Sequence, residues 1–75
     1  MKIKELDSIV LTEALPDAAF EPGDVGTVVM IHGDGAGYDI EFTTSTGETL
    51  AVVTVPADAV RPVTANEIAH ARRVA

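Results

Sequence analysis

The sequence predicts a mainly β protein, a small five-stranded antiparallel barrel followed by a short C-terminal helix. Three observations predict it. Short runs rich in β-branched residues recur along the chain, and most of the four prolines and six glycines fall between them as punctuation. The segment Tyr38-Asp39-Ile40-Glu41-Phe42 alternates apolar and acidic side chains with the two-residue period of a strand. Only after Thr64 does the pattern change to that of a helix. So many short strands in 75 residues are ordinarily accommodated by closing the sheet on itself. An open sheet covered on one side by the C-terminal helix is the alternative arrangement.

The first strand is expected over residues 7–12, a β-branched run. Residues 13–23, holding Pro16, Pro22 and Gly23, form a long connection pinned by Leu15 and Phe20 turning inward. Residues 24–31 make the second strand, and Gly26 within it marks a bulge or a bend where another backbone passes close. The glycine-rich turn 32–37 leads to the third strand, on which Tyr38, Ile40 and Phe42 face one way and Asp39 and Glu41 the other. Residues 43–47 form the next turn, with Gly47 in the left-handed position. Residues 48–55 make the fourth strand, apolar on both faces. Pro56 ends its pairing, residues 58–60 allow one 3₁₀ turn, and residues 61–63 make a closing strand. Pro62 lacks an N–H, which places that strand at an edge. The expected core is Val25 or Val28, Tyr38, Ile40, Phe42, Leu50 and Val52. Thr64-Ala65-Asn66-Glu67 fits a capping box, and Arg72 and Arg73 sit where a helix C-terminus favours cations. The chain is expected to be one domain, 1–75, with the barrel over about 6–63 and the helix over about 65–73. About ten residues are too few to be helical alone, so that helix must dock or fray.

Composition excludes several function classes. With no cysteine there is no disulfide framework, no thiolate metal site and no thiol nucleophile. No apolar run approaches the roughly 20 residues that span a bilayer, and the start lacks a signal-type stretch, so a soluble cytoplasmic protein is expected. The net charge is −7, and its distribution matters more than its total. The five basic residues are Lys2, Lys4, Arg61, Arg72 and Arg73, whereas eleven of the twelve carboxylates lie between Glu5 and Val60, where there is no Lys or Arg. Nucleic acid is gripped by neutralising phosphates, and an anionic membrane is held in the same way, so neither is an expected partner. The acidic stretch attracts a basic protein surface or a cation, and it also keeps an apolar-rich domain soluble.

The ordering of a strand, a long loop, Pro22-Gly23-Asp24-Val25-Gly26-Thr27-Val28-Val29, Tyr38-Asp39-Ile40-Glu41-Phe42 and then Val55 to Val63 resembles SH3-like barrels. More closely, the chain resembles a family of small bacterial proteins catalogued as a domain of unknown function. The similarity lies in the opening Leu6 to Glu13, the Leu15-Pro16 step, Gly23 to Val29, Tyr38 to Phe42 and Pro56 to Val63, and covers roughly Leu6 to Val63. Gly-Asp-Val-Gly-Thr-Val-Val alone is shared with ribosomal-type and nitrile-hydratase-type barrels. The resemblance implies a fold and brings no established catalytic residues with it. The loop Asp17-Ala18-Ala19-Phe20-Glu21 departs from similar proteins in carrying no base.

Each chemical motif has a plainer structural account. Gly23, Asp24 and Gly26 feed a strand with no lysine, unlike a phosphate-cradling loop. His32, Asp34 and His70 are the only candidates for an imidazole-containing metal site, yet His70 is far away in sequence. The hydroxyls of Thr43 to Thr46 have no histidine placed to activate them. Asp39 and Glu41 stand roughly 6–7 Å apart by strand rise, a glycosidase-like spacing, but so small a barrel offers no deep pocket for a sugar. No catalytic residue, cofactor or metal is therefore expected. The remaining candidate is a protein-binding surface made of Asp17, Glu21, Asp24, Asp39, Glu41 and Glu48. Its expected role is a non-enzymatic protein-binding module, for example an immunity- or antitoxin-like protein that occludes a basic partner. The alternative is an accessory barrel that assembles or stabilises a larger enzyme, by analogy with nitrile-hydratase-type barrels. A nucleic-acid-binding barrel rests on fold analogy alone and is opposed by the charge. Residues 50–55 are uncharged, so a homodimer is expected if they form an edge.

Overall fold

The computed structural model describes residues 2–15 and 19–74. Five strands run in chain order: β1 (Ser8–Leu11), β2 (Val25–His32), β3 (Gly37–Thr43), β4 (Thr49–Pro56) and, after a 3₁₀ turn at Ala57–Ala59, β5 (Val60–Pro62). They form one antiparallel sheet in the order β4-β3-β2-β1-β5. The mainly β expectation holds, and Pro62 lies in an edge strand as its missing donor requires. The closed barrel does not follow from the pairing. All three β5 residues pair with β1, and β4 pairs with β3, so both are edges of an open sheet.

One face of the bent sheet encloses the core of Ile9, Leu11, Phe20, Val28, Tyr38, Ile40, Phe42, Val55 and Val60. The β3 alternation is as read, with Tyr38, Ile40 and Phe42 buried and Asp39 and Glu41 on the opposite face. Of the pair Val25 and Val28, it is Val28 that is buried. Phe20 comes in from the long connection, where Leu15 N–H donates to Phe20 O at 2.9 Å, and its ring stacks on Phe42 with centroids 4.1 Å apart. Gly26 is required by that packing: a Cβ there would collide with Ile40 Cγ2 and lie 3.0 Å from the Phe42 ring. Gly47, with φ of 90°, takes the left-handed position of the β3–β4 turn.

Leu50 and Val52 are corrections to the expected core, at 41% and 56% exposure. The register shifts between Phe42 and Thr43, which pair with Ala51 and Thr49, so Leu50 is the extra residue of a bulge. Beyond the bulge, Val52 faces Glu41 on the outer side, and Val53 and Val55 point inward. A second shift, between Val28 and Met30, leaves Val29 and Met30 exposed.

The C-terminal helix over 65–73 is also corrected: residues 63–74 contain a turn at 65–66 and no helix. Half of the capping box forms, since Thr64 N–H donates to Glu67 Oε1 at 2.7 Å. The other half fails because the Thr64 hydroxyl donates to Asn66 Oδ1 at 2.9 Å instead of capping the Glu67 amide. Ile68, the largest apolar side chain of the would-be helix, is 94% exposed. A short helix without a face to bury cannot repay its nucleation.

Candidate protein-binding surface

Four of the six acidic candidates fall into two clusters, one on the sheet and one at the end of the long connection. Asp39 and Glu41 belong to the outer face, put there by the β3 alternation. Thr54, opposite Asp39 on β4, donates its hydroxyl to Asp39 Oδ1 at 2.6 Å, and His32 Nε2 reaches the same oxygen at 2.8 Å. Thr49 donates to Glu41 Oε2 at 2.6 Å. These bonds, the Thr54 hydroxyl first and His32 second, hold the Asp39 carboxyl below its ordinary pKa. Each carboxylate keeps one oxygen, Asp39 Oδ2 and Glu41 Oε1, without a hydrogen bond among the described residues. Met30 opposite Asp39 and Val52 opposite Glu41 flank them with exposed apolar area.

Glu21 and Asp24 form the second cluster, at the end of the long connection. That loop is tied to β1 by Gly23 N–H to Leu11 O and Leu11 N–H to Asp24 O, both 2.9 Å. The turn is closed by Glu21 N–H donating to Asp24 Oδ2 at 2.9 Å. Sequence reasoning missed its partner. Arg72, 48 residues away, donates from Nε and Nη2 to the two Asp24 carboxylate oxygens, each at 2.6 Å. Arg72 Nη2 also reaches Ala19 O at 3.3 Å, and Nη1 lies 3.7 Å from Glu21 Oε2. The Arg72 guanidinium holds Asp24 below its ordinary carboxyl pKa, against a smaller opposing effect of burial. Asp24 in turn raises the pKa of Arg72.

Of the other candidates, Glu48 is exposed in the β3–β4 turn, where its N–H donates to Thr44 Oγ1 at 3.1 Å, and Asp17 lies outside the described residues. His32 pairs with Asp39 and not with Asp34, while His70 lines a cleft beside Phe20 and Phe42. Among the described residues, no group of three or more His, Cys, Asp or Glu is placed to hold a metal ion. No helix there is long and apolar enough to cross a membrane. Arg61 and Glu67 form a two-pronged ion pair of 2.6 and 2.8 Å, and the Arg61 guanidinium lowers the Glu67 pKa to about 2.

Comparison with curated proteins finds no match, and comparison with solved structures finds none either. A family profile described as "Domain of unknown function (DUF4926)" matches residues 5–62, from just before β1 to the end of β5 and short of the segment that carries Arg72. The chain belongs to that family.

Proposed function

We propose that this protein is a non-enzymatic binding module that docks a basic protein partner on the acidic outer face of its sheet. The observation that carries this is the Asp39–Glu41 pair. Both carboxylates project from one strand, are braced by threonine hydroxyls, retain an open oxygen, and are flanked by exposed Met30 and Val52. A charged centre with apolar flanks can steer a basic surface to it and then exclude water from the contact. Occlusion of a basic partner, in the manner of an immunity or antitoxin protein, is the specific form favoured by an acidic face on so small a domain. The strand order β4-β3-β2-β1-β5, with a 3₁₀ turn before β5, supports describing the sheet as an SH3-like barrel with an incomplete seam.

A role as an accessory subunit of a larger enzyme is the second reading. It is favoured by the β4 edge, which is uncharged from Thr49 to Pro56 and exposes Leu50 and Val52. Immobilised protein exposed to native lysate tests the choice. The proposal expects a retained protein of basic charge that moderate salt elutes and that the double variant Asp39→Lys, Glu41→Lys does not retain. Retention that ignores both salt and charge reversal, but is lost in Val52→Lys, selects the accessory reading.

A further inference from the structure

We propose that residues 63–74 act as a strap, and that Arg72 holds, in the free protein, the seat at which an arginine of the basic partner docks. This rests on the binding-module reading and names a second contact for it. The family match ends at residue 62, so the strap lies beyond the matched part. It has no regular secondary structure, yet it is tied back twice, by Glu67 to Arg61 of β5 and by Arg72 to Asp24 beside the start of β2. At the second tie Arg72 makes two parallel hydrogen bonds to Asp24, the fork-on-fork geometry that distinguishes arginine from lysine. Ala19 offers its carbonyl to the same guanidinium from a left-handed backbone conformation (φ 60°), uncommon for a residue with a Cβ. Next to this seat is a cleft of about 610 Å³, lined by Phe20, Phe42 and Leu50 on one side and by Ala69, Ala71 and Val74 of the strap on the other. The apolar residues that the strap brings to this cleft are small, and its larger lining residues, His70, Arg72 and Arg73, are polar or charged. A partner segment with an arginine and larger apolar neighbours would make the same ionic contact and fill the cleft as well, so it can displace the strap.

The strap itself supplies the probe. An acetylated peptide with the sequence of residues 68–75, Ile-Ala-His-Ala-Arg-Arg-Val-Ala, is titrated into the full chain while the amide resonances of Asp24 and Phe42 are followed by NMR. A tethered strap competes at an effective concentration on the millimolar scale, so the wild type should bind the peptide about threefold or more weakly than the double variant Arg72→Ala, Arg73→Ala. Adding Asp24→Asn, which keeps an oxygen to accept the Glu21 N–H, should abolish binding in that variant while its spectrum stays dispersed. Equal affinities for the wild type and the double variant would overturn the proposal. So would binding that survives Asp24→Asn, or no binding to the double variant at millimolar peptide. Asp39 and Glu41 do not line this cleft. A failed titration therefore leaves docking on the outer face intact, and partner binding that ignores charge reversal there leaves the strap intact.

Discussion

Phe42→Ala removes a ring that is 2% exposed, stacked on Phe20, and in line with the space that Gly26 leaves empty. Truncating such a side chain takes away about 100–150 Å² of buried apolar area, worth roughly 2.5–4 kcal/mol at about 25 cal/mol per Å². The lost stack adds about 0.5–1.5 kcal/mol, which puts the total at the usual 3–5 kcal/mol for buried Phe→Ala. A core of this size supplies only about 3–5 kcal/mol of net stability, so the variant should be largely unfolded in water at 25 °C. Leu50→Ala is the matched control. Leu50 occupies the bulge and is 41% exposed, so its truncation should cost less than about 1 kcal/mol. Urea denaturation followed by circular dichroism reads both. With a slope of about 1 kcal/mol per molar urea, the Leu50→Ala midpoint moves by less than about 1 M, while Phe42→Ala shows no cooperative transition. If the two variants lose equal stability, the facing of β3 and β4 given above is wrong.

Gly26→Ala should destabilise by about 1–3 kcal/mol, because its Cβ would meet Ile40, the Phe42 ring and the Glu41 carbonyl and force the packed core to shift, and thermal melting reads the loss. Val52→Lys should suppress any concentration-dependent self-association through the β4 edge, seen by light scattering, and leave the melting temperature nearly unchanged because Val52 faces outward. Asp24 has a folded pKa below its ordinary value of 3.8, chiefly through the Arg72 hydrogen bonds. Its contribution is therefore complete above that ordinary value and is lost as the pH falls through the lowered folded value. An NMR titration of the Asp24 carboxyl should show a higher midpoint in Arg72→Ala than in the wild type, and an unchanged midpoint would show that the ion pair does not form in solution.

The strand pattern was legible where one face is polar. Between Tyr38 and Phe42 the acidic residues mark the solvent side, so the facing of β3 could be read directly. On β4 it could not, because residues 50–53 are apolar on both faces and a single bulged residue inverts the alternation. The long connection was legible through Phe20, the one aromatic in it. The helix was misread because a capping box describes how a helix starts, while its survival depends on a surface to bury that Ile68 does not find. The acidic residues of the candidate surface were visible as a set, but their division was not. Asp39 is joined to Thr54, its partner in the strand register, and Glu41 to Thr49 across the bulge, whereas Asp24 is joined to Arg72 across 48 residues by a contact that no local period announces.

The most direct test of the central claim follows one protein through two responses to salt. Twelve carboxylates against five basic residues leave a net charge of −7, and salt screens the resulting repulsion over a Debye length of about 10 Å at 0.1 M. Raising the salt from low to moderate should therefore raise the melting temperature of the free protein. The same salt should weaken the proposed complex with a basic partner, mainly by slowing association, and Asp39→Lys with Glu41→Lys should remove that salt dependence without unfolding the sheet. A partner whose affinity is indifferent to salt and to both reversals would contradict the account and reduce the acidic face to a solvated surface.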